Sequence, residues 1–174
     1  DNVLKALRSC PLFAGMSDIE IELTLGNVSH QFVSLPSHEV YALAGMPCKY
    51  VDIVVSGRLI CRMAALSGKQ VEVSRLHSGN MVAPAFIFSK DRSLPVSVET
   101  EGKVQLFRMR PEELKRLLDV DEAIRMNFIR ILSNIDVFLT QKMKVLSLFT
   151  VREKVAYPLM ERAGEQGSNE VHLE

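Results

Sequence analysis

Between residues 28 and 110 the chain breaks into short segments, FVSL, EVYAL, YVDIVV, RLICRMAA, QVEVSRL, PVSVE and VQLFRM, rich in β-branched or aromatic residues and often alternating apolar with polar. Turn signals punctuate them: Leu35-Pro36-Ser37, Ser56-Gly57, Ser67-Gly68, Ser78-Gly79-Asn80 and Glu101-Gly102. A segment of four to eight residues with period-two patterning buries one face only as a strand. Seven or more such strands at this spacing predict a mainly β domain, a sandwich or jelly roll.

Helical patterns flank this region. The opening DNVLKALRSCPLFAGMSDIEIELTLGNV reads as two short helices around Pro11-Leu12-Phe13, the second started by a Ser17–Glu20 capping box. Pro111, followed by Glu112 and Glu113, starts another short helix. From Asp121 to Phe149 there are 29 residues without Gly or Pro. At about 100° per residue, Ile124, Phe128, Ile131, Leu132, Ile135, Phe138, Leu139, Met143 and Leu146 share an arc of roughly 140°. That arc is wider than a two-stranded seam and predicts two apolar neighbours. One is the chain's own β-domain; the other is the same helix of a second subunit, since no other long helix is predicted. The plainer alternative sinks the whole arc into one sheet. Thr150 with Glu153 is a second capping box, read as opening a new helix to about Ala163 that carries an unexplained Pro158. The expected organisation is residues 1–27, N-terminal helices; 28–110, jelly roll; 111–149, short helix plus long dimerisation helix; 150–174, the start of another helical unit.

Charge and cysteine usage narrow the function. Lysine plus arginine and aspartate plus glutamate stand at 21 each, so the chain as a whole exerts no net pull on a polyanion. Cys10, Cys48 and Cys61 lie far apart without CxxC spacing, which predicts free thiols and a cytoplasmic protein. No apolar run reaches membrane-spanning length. The four histidines are scattered, with no His-x-His, HExxH, GxSxG or P-loop, so a cupin-type metal enzyme is a poor match and no catalysis is expected.

Several motifs, in their order and spacing, resemble the Crp/Fnr family of bacterial transcription regulators. Pro11-Leu12-Phe13-Ala14-Gly15-Met16-Ser17 looks like the family's opening motif, Val51 to Leu59 like its central hairpin, and Ser67-Gly68-Lys69 like its next turn. Leu76-His77-Ser78-Gly79-Asn80 resembles the glycine turn before the effector-binding segment, and Thr150 to Ala156 the first helix of the winged helix-turn-helix domain. The resemblance implies a cyclic-nucleotide-binding-like jelly roll followed by a long dimerisation helix, with a DNA-reading domain that is truncated here and would continue past Glu174. It also implies a homodimer that binds DNA.

In cyclic-nucleotide members of the family a Gly-Glu pair and a later Arg-Ser pair hold ribose and cyclic phosphate. This chain has Ala83-Pro84 and Leu94-Pro95 at those places. A buried phosphate without its guanidinium loses a charge-assisted partner, at a cost of about 3–5 kcal/mol. Lys69, Lys90 and Arg92 could substitute only from turns or loops. Cyclic AMP binding in the family's manner is therefore not expected. Strand alternation instead brings Leu59, Cys61, Met63, Val71 and Val73 together with Met81, Ala83, Phe86, Phe88, Leu94, Val96, Phe128, Ile131, Ile135 and Leu139 in one apolar pocket. The alternative is a filled, effector-free core.

The segment from Ala83 to Phe88, with Pro95 to Glu99, resembles the regulators of the hybrid cluster protein, the HcpR branch. That resemblance implies nitrosative-stress response and a haem-dependent nitric oxide sensor. Met63 is then the first candidate for the haem iron and Cys61 the second, with His77, His30, His38 and His172 behind them.

Overall fold

A computed structural model describes residues 2–155, with side chains described to residue 148. Helices α1 (Asn2–Ser9) and α2 (Asp18–Gly26) precede five strands: β1 (His30–Leu35), β2 (Val40–Ala42), β3 (Val51–Ala64), β4 (Gln70–Leu76) and β5 (Ser97–Met109). Helices α3 (Pro111–Val120) and α4 (Glu122–Val155) follow. The Ser17–Glu20 capping box forms as expected: Glu20 N–H donates to Ser17 Oγ, and Ser17 N–H to Glu20 Oε2.

The strands pair antiparallel in the order β1-β5-β3-β4, with β2 also on β5. This is the jelly-roll-like architecture expected, but with fewer and longer strands. Two of the anticipated turns, Ser56-Gly57 and Glu101-Gly102, lie inside β3 and β5. Gly57 and Gly102 take φ of 84° and 73°, and pairing between the two strands shifts register on both sides of Ser56. A paired bend costs fewer backbone hydrogen bonds than two turns, so each strand continues through its glycine.

The bend also switches faces. Val51, Ile53 and Val55 pack in a first core with Leu7, Leu12, Phe13, Ile21, Phe107 and Leu114. Beyond the bend Leu59 and Cys61, of the same odd parity, pack in a second core with Val54, Val82, Val98, Val104 and Leu106. Tyr41 and Ala83 touch both.

Residues up to Leu132 form one compact unit, and Ser133 begins a second. Within the first unit the start of α4 is pinned by Asn127, whose Nδ2 donates to the carbonyls of Leu12 and Ala14, both at 3.0 Å. Helix α4 runs unbroken through Thr150, where a new helix was expected. Intrahelical backbone bonds outcompete a capping side chain when no Gly or Pro intervenes. Pro158 and the elements anticipated beyond residue 155 lie outside the described residues.

Candidate functional site

The bend turns the far halves of β3 and β5, together with β4, into a small sheet with two unlike faces. Cross-strand pairing sets which side chains share a face. Leu59 pairs with Leu76 and Thr100, Cys61 with Ser74 and Val98, and Met63 with Val71. That face is apolar apart from Ser74 and Thr100. Thr100 is committed to the β1–β2 turn, donating to Pro36 O and accepting from Glu39 N–H. Exposure rises along β3, from fully buried Leu59 and nearly buried Cys61 to 44% for Met63. Val71 and Val73 on the neighbouring strand are exposed to a similar degree. The second core thus opens at one end onto an uncovered apolar wall.

The opposite face carries the charge. Arg58 pairs with Glu101 at 3.3 Å, Arg62 with Glu99, and Arg75 with both Glu72 (2.5 Å) and Glu101 (3.1 Å). The guanidinium of every arginine in this half-sheet is therefore held in an ion pair with a glutamate of the same face. Lys69, Lys90 and Arg92 are exposed in turns or loops.

The segment after Ser78-Gly79-Asn80 borders this wall. Residues 79–82 are tied to β3 through Gly79 N–H to Val54 O, Val54 N–H to Asn80 O and Val82 N–H to Asp52 O. A single 3-10 turn, Pro84–Phe86, follows. Its N-cap Ala83 has φ 46° and ψ 52°, the left-handed region that costs an L-residue about 1–2 kcal/mol. The Ala83→Gly variant should therefore gain about 0.5–1 kcal/mol despite its freer unfolded chain, a rise of ~2 °C in Tm measurable by calorimetry. An unchanged or lower Tm would show that Ala83 is not strained.

The structure divides the expected single pocket. Leu59 and Cys61, with Val96 against them, belong to the second core. Met81, Leu94, Phe86, Phe128 and Ile131 belong to or pack on the first, and Ala83 joins the two. Leu94, expected to stand where cyclic-nucleotide members carry arginine, is buried with its backbone bonded to Gly45 and Met46. Phe88 is half-exposed and meets Phe128 edge-on at 5.8 Å. Val73 is not opposite Cys61; the register shift in β3–β4 puts Ser74 there instead. Leu139 is exposed and Ile135 half-buried, both in the second unit. Of the residues assigned to helix pairing, Ile124 and Phe128 are buried in the first core and Ile131 and Leu132 pack against it, leaving Phe138, Leu139, Met143 and Leu146 exposed.

The iron-ligand candidates also separate. Met63 is 44% exposed at the open end, paired across the strands with Val71, so of the candidates on this face it is the one accessible to a ligand laid on the wall. Cys61 is packed in the second core at 6% exposure; burial raises its thiol pKa, a Ser74 hydrogen bond partly offsetting this. Burial likewise pushes Cys10 up to about 12 and raises Cys48. His77 sits exposed in a turn, its N–H bonded to Asn80 Oδ1. His38 occupies a left-handed turn. His30 stacks on Phe107 and lines a separate polar groove of about 420 Å³ with Tyr50, Arg108, Arg110 and Glu113. His172 lies outside the described residues. Among the described residues no cluster of three or more His, Cys, Asp or Glu could hold a metal ion.

One feature escaped the sequence. Asp52, fully buried beside Val51 and Ile53, accepts from Arg108 Nε (2.8 Å) and Nη2 (2.9 Å) and from the Tyr41 hydroxyl (2.5 Å). Arg108 also lies 4.0 Å over the Tyr50 ring. Burial, then the nearby Asp52 charge, drives the Tyr41 pKa upward, keeping its proton on the hydroxyl. The signal available was an Asp inside an apolar strand run and an Arg inside another.

Residues 32–121 match the family model described as the cyclic nucleotide-binding domain. Solved structures are similar to the chain in fold. The catabolite activator protein of Thermus thermophilus aligns with a TM-score of 0.74 and 20% identity over 90% of this chain and 72% of that one. A transcriptional regulator from Thermotoga maritima aligns at 0.65 and 21% over 72% and 96%. The sensor domain of the transcriptional regulator DNR from Pseudomonas aeruginosa aligns at 0.62 and 19% over 80% and 89%. No curated protein matches the sequence. No helix among the described residues is long and apolar enough to cross a membrane.

Proposed function

The chain belongs to the cyclic nucleotide-binding domain family, and from that premise we propose that it is the sensor and dimerisation part of a Crp/Fnr-type, DNA-binding transcription regulator whose effector is apolar rather than a cyclic nucleotide. The observation that carries this reading is the two-faced half-sheet: Leu59, Cys61, Met63 and Val71 on one side, Arg58, Arg62 and Arg75 paired with glutamates on the other. A cyclic phosphate entering along the apolar wall would leave water and find no guanidinium.

The effector we favour is haem, with nitric oxide as the signal, in line with the resemblance to the HcpR branch. Met63 would hold the iron and Val71 would lie against the macrocycle. Bound haem would supply an iron able to take up a diatomic gas. The chain's own part is to exclude water from the wall and to favour one arrangement of paired α4 helices. That arrangement would set the spacing of two DNA-reading units on a two-fold operator.

Titrating the chain with hemin should give a Soret band that shifts on adding nitric oxide and weakens at least ~10-fold in affinity in Met63→Ala. A spectrum unchanged across the titration would remove haem from the account. A second reading, a domain that binds no effector, is favoured by the close packing of Leu59 and Cys61 in the second core. It predicts that flat spectrum and no thermal stabilisation by hemin.

A further inference from the structure

The far half of α4 carries six large exposed apolar residues, Val137, Phe138, Leu139, Met143, Val145 and Leu146. Two cations fall in this stretch, Lys142 and Lys144, and only Lys142 is centred on the apolar arc. At about 100° per residue, Lys142 lies at the middle of the arc spanned by Phe138, Leu139, Val145 and Leu146, its neighbours at four and three residues on either side. All four are more than half exposed, at 56%, 51%, 57% and 62%. The Lys142 ammonium lies 5.0 Å from the Phe138 ring centroid. Phe138, Gln141, Lys142, Val145 and Leu146 line a shallow groove of about 370 Å³ along the helix.

We propose that Lys142 is a specificity residue for pairing of α4 with a second copy of itself, holding the assembly to two helices and weakening it. The inference rests on the pairing reading above. The occupant is argued from spacing. Ile135, Phe138, Lys142 and Val145, and equally Ile135, Leu139, Lys142 and Leu146, alternate steps of three and four, the repeat that lets like helices interlock. Lys142 sits where both rows cross, so an in-register pair sets two ammoniums in one layer. In a two-helix assembly each long stem can cover apolar surface while its charge reaches water. In a three- or four-helix assembly the same position is enclosed, and the charge has no exit. A single lysine at a seam position thereby selects the oligomer and lowers its stability.

Sedimentation equilibrium on the whole chain tests this with the native protein, Lys142→Leu and Lys142→Arg. The native protein should be a monomer–dimer system. Lys142→Leu should associate about tenfold or more tightly and form species beyond the dimer. Lys142→Arg, which keeps the charge, should stay dimeric within about threefold of the native constant. Raising salt from about 0.05 M to about 0.5 M should tighten the native dimer more than the leucine variant, because only the native pair has like charges to screen. Equal constants and equal species for native and leucine forms would overturn the inference and leave pairing intact. If both remain monomeric at every concentration, the pairing reading fails and the inference with it.

Discussion

Replacing Arg108 with methionine should lower the unfolding free energy by about 3–5 kcal/mol, measured by urea denaturation. Asp52 is fully buried, and Arg108 gives it two hydrogen bonds in bidentate geometry while Tyr41 gives a third. Methionine restores most of the volume over Tyr50 but leaves the carboxylate with one neutral donor. The cost is that of an uncompensated charge rather than of a lost contact. Two further variants separate these causes. Tyr41→Phe removes only the neutral donor and should cost ~1–3 kcal/mol. Replacing Asp52 with leucine and Arg108 with methionine together removes both charges and should recover most of the loss. If the single Arg108 variant loses under ~1 kcal/mol, the network is not a closed buried ion pair.

The second large effect is expected at Gly57. Its φ of 84° is unfavourable for any side chain, and a methyl built there would overlap the Lys103 carbonyl oxygen and crowd Val104. Both neighbours belong to β5, so relief requires the paired strands to separate where they turn from one core to the other. Gly57→Ala should cost at least ~3 kcal/mol. Gly68, also at positive φ but with open space around its Cβ position, is the control. Its alanine variant carries the backbone strain alone and should cost ~1–2 kcal/mol. Equal losses at the two sites would mean that the bend accommodates a side chain.

Gly57 also explains which parts of the molecule could be read in advance. Strand positions followed from short apolar segments, and helix starts from Ser17–Glu20 and Pro111, because these signals are local. The face each strand buries is not local. Period-two alternation assigns Val51, Ile53, Leu59 and Cys61 to one side, yet two register shifts around Ser56 divide them between two cores. The single pocket expected from alternation is divided between those cores, Leu59 and Cys61 in the second and Met81, Leu94 and Phe128 in the first. Asp52 was passed over for a related reason: its partner Arg108 is 56 residues away and pairs with it only through β3–β5 register. That residues 83–84 and 94–95 offer Ala-Pro and Leu-Pro, with no carboxylate or guanidinium, was legible directly, being a matter of residue type. That Arg58, Arg62 and Arg75 are ion-paired on the face opposite Leu59 and Cys61 was legible only from the folded pairing.

The most direct test of the account is a calorimetric titration of the whole chain with cyclic AMP. An apolar wall whose neighbouring guanidiniums are ion-paired on the opposite face predicts no saturable heat up to about millimolar nucleotide, a level that corresponds to only ~4 kcal/mol of binding free energy. Saturable one-to-one binding with a Kd near micromolar, abolished by substituting Arg62 or Arg75, would mean that a cation reaches the wall after all, and the functional assignment would be wrong.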